Sequence, residues 1–265
     1  MLRRVIGGIV IVALAAALTL EISGVAPGAA LQVLPFLVLL GAALLLWRAV
    51  WPGAAAREQT TLDVPLDGAV RARLDLTFGA GELTLSGDAP PGTLISGAAS
   101  GPARTHVRRA AEGVSVTLGQ PVSLIRQRAA WQLALSPAAT WTSIRLRLGA
   151  SAASLDLTHL PVEKLTLEAG GTTLQATLPA AGDVTLQISG GRTRLRIPAG
   201  AAAIIRSEIR LGEVIVDEGH FVPAGSETAW AVAGIAPVSA TLSITLKGGL
   251  GTVEIAAAPD DSRPA

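Results

Sequence analysis

The chain has 265 residues, with 21 basic against 20 acidic side chains and a formal charge of +1, so it lacks the positive field of a nucleic-acid-binding protein. Half of the residues are hydrophobic but only 3% are aromatic, and there is no tyrosine, so a core of Leu, Val, Ile and Ala in thin, regular layers is expected. The absence of cysteine excludes a disulfide framework, a thiol nucleophile and a thiolate metal site.

From Val5 to Leu20 every residue is apolar, glycine or the single Thr19, and Ile22 extends the run past Glu21. A second run goes from Leu31 to Val50, with Trp47 and Trp51 at its end as interfacial aromatics. Each is long enough to cross a bilayer as a helix. The pattern predicts a two-helix transmembrane hairpin in residues 1–56, with helices over about 5–22 and 31–50. Arg3 and Arg4 precede the hairpin and Arg48 and Arg57 follow it, while the connector has no Lys or Arg. The positive-inside rule then places both termini and the following domain in the cytoplasm, on a two-pass protein of the bacterial inner membrane with the lipid bilayer as its first partner. A cleaved signal peptide, with small residues around Ala26 to Ala30 hosting the cut, is the competing reading, and a buried helical hairpin in a soluble protein is a third. The second membrane-length run speaks against cleavage. No charge lies mid-run, so no transport path is implied.

After Pro52 and Gly53 the period changes to two, in short runs bounded by Gly and Pro, which predicts strand after strand over residues 57–258, before a disordered tail at 259–265. Leu165, Leu167, Gly170-Gly171, Leu174, Ala176 and Leu178 form one unit. Val184, Leu186, Ile188, Gly190-Gly191, Leu195 and Ile197 form the next, 19 residues on. Ile204 to Val216 around Gly212 follows after 20 more, and Leu242 to Ile255 around Gly248-Gly249 comes two periods later, past an irregular unit at Phe221 to Val232. Leu74, Leu94, Val114 and Leu133 are also 19 or 20 apart, but the step to Leu146 is 13, so the early part is expected to be a different sub-layer. Corners are expected at Gly79 and Gly81, at the glycines just named, and at the Pro-Ala segments after Leu178, Ile197 and Val222. A fixed period with fixed corners predicts an all-β fold, a β-solenoid-like stack of short strands in 19–20 residue repeats; a Greek-key sandwich is the alternative.

The stretches LDLTFGAGELTLSG (74–87), WQLALSP (131–137), LGASAASLDLTHLPVEKLTLEAGG (148–171) and ITLKGGLGTVEI (244–255) resemble the LiaF-like, or toast-rack, membrane proteins of bacteria. The similarity spans nearly the whole β-domain and rests on structural glycines and alternating leucines. It implies a part in the response to cell-wall-active antibiotics, since LiaF itself is a membrane-bound negative regulator of a sensor histidine kinase. LiaF-like proteins often carry more membrane helices than the two available here, so a kinase contact made through the missing helices does not carry over.

No catalytic set is apparent. His106, His159 and His220 lie in separate segments, and there is no HExxH, phosphate-loop lysine or nucleophile elbow. The carboxylates Asp156, Glu163, Glu168, Asp183, Glu208, Glu213, Asp217 and Glu218 are scattered rather than paired as a glycosidase needs. No metal and no cofactor is expected. The most distinctive polar feature is Arg192, Arg194 and Arg196, which share one face of a strand; Arg145 and Arg147 repeat this earlier, and Arg206 and Arg210 follow. Stacking is expected to gather several of these into a basic face for an acidic partner or anionic headgroups, the plainer reading being a solvated face. Arg104, Arg108 and Arg109 form another local cluster. The expectation is a non-enzymatic membrane-anchored regulator contacting a sensor kinase or another membrane protein, or alternatively a self-associating membrane-linked scaffold.

Overall fold

The computed structural model describes residues 59–101, 103–111, 113–120, 129–226, 228–234 and 241–258. They belong to the second of two compact units, Met1–Arg57 and Glu58–Ala265. The expected membrane hairpin and C-terminal tail lie outside the described residues. Among those residues no helix is long and apolar enough to cross a membrane.

Every described element is a strand. In chain order they are β1 (Gln59–Pro65), β2 (Arg71–Ser86), β3 (Thr93–Ser100), β4 (Arg104–Ala110), β5 (Gly113–Gly119), β6 (Ala129–Leu135), β7 (Thr140–Asp156), β8 (Lys164–Ala169), β9 (Thr172–Thr177), β10 (Gly182–Ile188), β11 (Gly191–Ile197), β12 (Ala203–Ile209), β13 (Glu213–Val216), β14 (Phe221–Pro223), β15 (Ala229–Val232), β16 (Leu242–Gly248) and β17 (Thr252–Ala257). The period-two pattern dictates which side of each is buried. In β11, Thr193, Leu195 and Ile197 point inward and Arg192, Arg194 and Arg196 outward.

Pairing arranges the strands in two ladders. The first runs β4–β5–β2–β7–β8–β10–β16–β12–β15–β14. The second runs β1–β3–β6–β2–β7–β9–β11–β17–β13. The long strands β2 and β7 belong to both: Arg71–Phe78 of β2 pairs in the first ladder and Gly81–Ser86 in the second. Later repeats break the same path at a glycine corner, so β8 with β9, β10 with β11, β12 with β13 and β16 with β17 are single rungs of a β-solenoid. The rungs stack in parallel, whereas antiparallel strands close the ends, among them β1, β3, β4, β14 and β15.

One apolar cluster collects the inner sides of both ladders, including Leu74, Leu146, Leu167, Leu186 and Leu246 from the first and Leu83, Leu155, Leu174, Leu195 and Val253 from the second. Burying each such side chain stabilises the fold by roughly 1.5–3 kcal/mol. The core is not purely aliphatic, as the composition suggested. Trp131, Trp141 and Phe78 are fully buried within it, and Trp141 Nε1 donates to the Ser136 carbonyl at 2.9 Å.

Two features depart from simple sequential stacking. The rung β16–β17 lies between β10–β11 and β12–β13: Ile244 pairs with Val184 on one side and Ile205 on the other. The irregular unit is the β14–β15 hairpin, whose second strand pairs antiparallel with β12 and occupies the place a further rung would take. In the early part, the equal spacing of Leu74, Leu94, Val114 and Leu133 does not reflect stacking order, because β2 has β5, β6 and β7 beside it while β3 lies between β1 and β6.

At several corners glycine is required for a steric reason. A Cβ on Gly81, at φ +128°, would lie 1.9 Å from the Ala129 carbonyl oxygen. One on Gly191, at φ +92°, would lie 2.1 Å from that of Thr172. Successive rungs approach so closely there that no side chain fits.

Candidate interaction faces

The two ladders turn their buried sides to a shared core, so each presents one outer face to solvent. Arg192, Arg194 and Arg196 lie together on the outer face of the second ladder, opposite Thr173, Gln175 and Thr177 of β9. Arg194 is held by Glu254 of β17, at 2.8 Å from Nε and 2.6 Å from Nη2. Arg145, Arg147 and Arg206 lie on the outer face of the first ladder instead. Arg210 stands exposed in the corner after β12. The structure therefore divides the seven arginines between two faces. The signal that separates them is their place relative to the corner glycines: Arg145 and Arg147 precede Gly149, whereas Arg192, Arg194 and Arg196 follow Gly190-Gly191.

The local cluster Arg104, Arg108 and Arg109 is divided too. Arg104 and Arg108 pair with Gly119 and Ser115 of β5, and so lie on the outer face of the first ladder with Arg73, Arg145 and Arg147. Arg109 points to the other side, where it binds Asp67 at 2.9 Å and donates to the Pro65 carbonyl. Arg73 belongs to this face by register, although as one of four charged residues spread along a leucine-rich strand it gave little sign of it.

Several of the remaining titratable groups are held in ion pairs. Arg147 bridges Asp75 of β2 at 3.0 Å and Glu168 of β8 at 3.6 Å. Glu163 meets Arg71, Glu208 meets Lys247, and Asp217 meets His220 Nδ1 at 2.7 Å. His106 lies on β4 and His159 in the turn before β8, both exposed. Among the described residues no three His, Asp or Glu side chains are grouped to hold a metal. A shallow groove of about 320 Å³ follows the corners of β2, β7, β8 and β10 past Gly79, Gly149 and Gly170. Its two charged side chains, Arg147 and Glu168, are already paired with each other.

Residues 53–205 match the family model described as the N-terminal domain of toast_rack, DUF2154. The chain belongs to the toast-rack family. A solved structure with the same toast-rack build is that of a "putative cell adhesion protein" from Clostridium sporogenes ATCC 15579, with a TM-score of 0.64 and 19% identity over 76% of this chain and 99% of that one. At that identity the likeness establishes the fold alone. A "putative adhesin" from Bacteroides fragilis NCTC 9343 aligns over 76% of this toast-rack chain and 98% of its own at 12% identity, but its TM-score of 0.30 carries no structural argument. No curated protein matches the chain. The toast-rack β-solenoid, with its glycine corners and alternating leucines, is thus established for residues whose sequence already resembled that family.

Proposed function

We propose that this toast-rack chain is a non-enzymatic, membrane-anchored interaction module of the bacterial cell-envelope stress response, acting on a membrane partner such as a sensor kinase. The observation that carries the reading is the character of the β-domain. Among the described residues its charged side chains are spread over two outer faces, in small ion-pair groups or without an ion partner, and its groove is shallow and glycine-lined. Such a surface suits recognition of another surface better than it suits turnover of a substrate. The two apolar runs and the arginines around them support a cytoplasmic β-domain on an inner-membrane anchor. Crosslinking in living cells treated with a cell-wall antibiotic is expected to capture a membrane kinase or its partner. If no membrane protein is captured and deletion leaves the stress response unchanged, the regulator reading fails. Topology reporters placed after residue 265 and between Gly24 and Gly28 test sidedness directly.

A second reading, self-association into a scaffold, is favoured by one edge. Three of the four ladder edges carry devices that discourage strand addition: arginines on β4, Pro223 in the three-residue β14, and Asp63 with Pro65 in β1. The fourth edge, β13, carries only Glu213, and Ile215 is 47% exposed on it. Leu211 and Leu250 stand exposed in the corners beside it. Sedimentation of the full chain over a wide concentration range decides this reading: a monomer throughout excludes it.

A further inference from the structure

The outer face of the first ladder is unevenly charged along its length. Its first four strands present Arg104 and Arg108 from β4, Arg71 and Arg73 from β2, and Arg145 and Arg147 from β7, against the single carboxylate of Asp75. At the margin Glu163 meets Arg71 and Glu168 meets Arg147. Arg104, Arg108 and Arg145 have no ion pair among the described residues, and Arg73 Nε donates only to the Thr142 hydroxyl at 3.3 Å. Farther along, β8 to β12 bring Lys164, Lys247 and Arg206 together with Glu168, Asp183 and Glu208, so cations and carboxylates balance and the excess of positive charge disappears.

Register makes this an ordered array. One row reads Arg108–Ser115–Arg73–Ser143, the next His106–Thr117–Asp75–Arg145, and the third Arg104–Gly119–Thr77–Arg147. Strands lie about 4.8 Å apart and alternate residues about 6.7 Å apart, so the array is a patch roughly 14 Å across in each direction. Guanidinium groups bind phosphate oxygens in bidentate fashion, and the serine and threonine hydroxyls between them add donors.

We propose that this basic face docks the β-domain flat on the headgroup plane of an anionic phospholipid bilayer. A protein partner fits less well, since protein interfaces centre on apolar and aromatic side chains and this array has none exposed. The exposed apolar residue that borders it is Val70, just before β2. The chain enters the domain close by: Gln59 pairs with Ser100, and Arg104 follows four residues later. In sequence only residues 51–58 separate β1 from the second apolar run. The charge argument is independent of the kinase reading; the supply of a nearby bilayer rests on the anchor proposed above.

The test uses the full chain, which has no cysteine of its own. Thr117→Cys places an environment-sensitive fluorophore in the middle of the array, and Ser154→Cys places one on the other outer face as a control. Each labelled protein is reconstituted in nanodiscs of phosphatidylcholine alone and of phosphatidylcholine with phosphatidylglycerol. The Thr117→Cys label is expected to be shielded from an aqueous quencher in the anionic discs only, and to be released in 1 M salt, where the screening length falls to about 3 Å. The Ser154→Cys label stays exposed throughout. Arg104→Ala, Arg108→Ala and Arg145→Ala combined are expected to lower the ratio of docked to undocked domain on the order of 100-fold, each arginine near such a surface being worth roughly fivefold. The three lysine substitutions retain most of the docking, which separates charge from any loss of fold. Equal shielding in both discs, or shielding that survives the triple alanine variant, overturns the proposal. Exposure in both discs, with shielding only after an acidic protein is added, overturns it in favour of a protein partner. Should the chain fail to enter discs, the anchor is refuted; the same labels with vesicles of both compositions added from outside then test the face alone.

Discussion

Phe78 and Trp131 meet edge to face across the core, with ring centroids 5.3 Å apart and planes at 65°. Phe78 ends the first-ladder half of β2 and Trp131 stands on β6 in the second ladder, paired in register with Leu83. The contact therefore ties the two ladders together where β2 passes from one to the other. Both side chains are fully buried, so Phe78→Ala is expected to destabilise by about 3–5 kcal/mol. A double-mutant cycle with Trp131→Leu should return a coupling of about 0.5–1.5 kcal/mol beyond the lost area. Urea denaturation followed by circular dichroism measures both, and additive effects would show that the rings merely fill space.

The corners can be ranked by what a methyl group would strike. At Gly191 the added Cβ meets the Thr172 backbone, whereas at Gly200, with φ +79°, nothing lies within 4 Å. Gly200→Ala should cost only the left-handed backbone penalty, roughly 1–2 kcal/mol. Gly191→Ala must also push two rungs apart, and is expected to exceed that cost or to prevent folding. Equal denaturation midpoints for the two variants would contradict the close approach of the rungs.

Those corners were readable in the sequence, and so was the rung. Leu165 and Leu167, Gly170-Gly171, then Leu174 and Ala176 describe β8, its corner and β9 with little error, because alternation and glycine are local signals. The order of the rungs was not readable. Period fixes the length of a rung but says nothing about its neighbours, so Leu242 to Ile255 carries no mark that it belongs between Ile188 and Ala203. The basic array was half legible for the same reason. Alternation shows that Arg145 and Arg147 share a side, but only cross-strand register brings Arg73, Arg104 and Arg108 beside them.

Arg147 sits between Asp75 and Glu168, with all three side chains about two-fifths exposed. Water screens such a network, so Arg147→Ala is expected to cost about 1 kcal/mol or less despite its two partners. Thermal melts at low and high salt check this: the loss should shrink as salt rises. A loss several times larger would mean that the arginine stem packs on the glycine groove more than it pairs.

The edge strand β13 gives a prediction of opposite character. Ile215→Lys places a charge on an exposed edge without touching the core, so stability should change by about 0.5 kcal/mol or less. If the chain self-associates through this edge, the same substitution should shift sedimentation to the monomer. An assembly that persists in the variant must use another surface.

Thr193 is the clearest local inconsistency in the core. It is fully buried, sits in register between Leu174 and Val253, and its hydroxyl has no hydrogen-bond partner among the described residues. Thr172, one rung away, shows the alternative, with its hydroxyl bonded to the Gly149 and Gly170 carbonyls. An unpartnered buried hydroxyl carries a desolvation cost of about 1–3 kcal/mol, so Thr193→Val, which keeps the branched shape, is expected to raise stability by about 1 kcal/mol or more. Thr172→Val should lower it. A rise in the denaturation midpoint for the first and a fall for the second, with unchanged cooperativity, would confirm the assignment; destabilisation by Thr193→Val would mean that the hydroxyl has a partner, such as an ordered water, between the rungs.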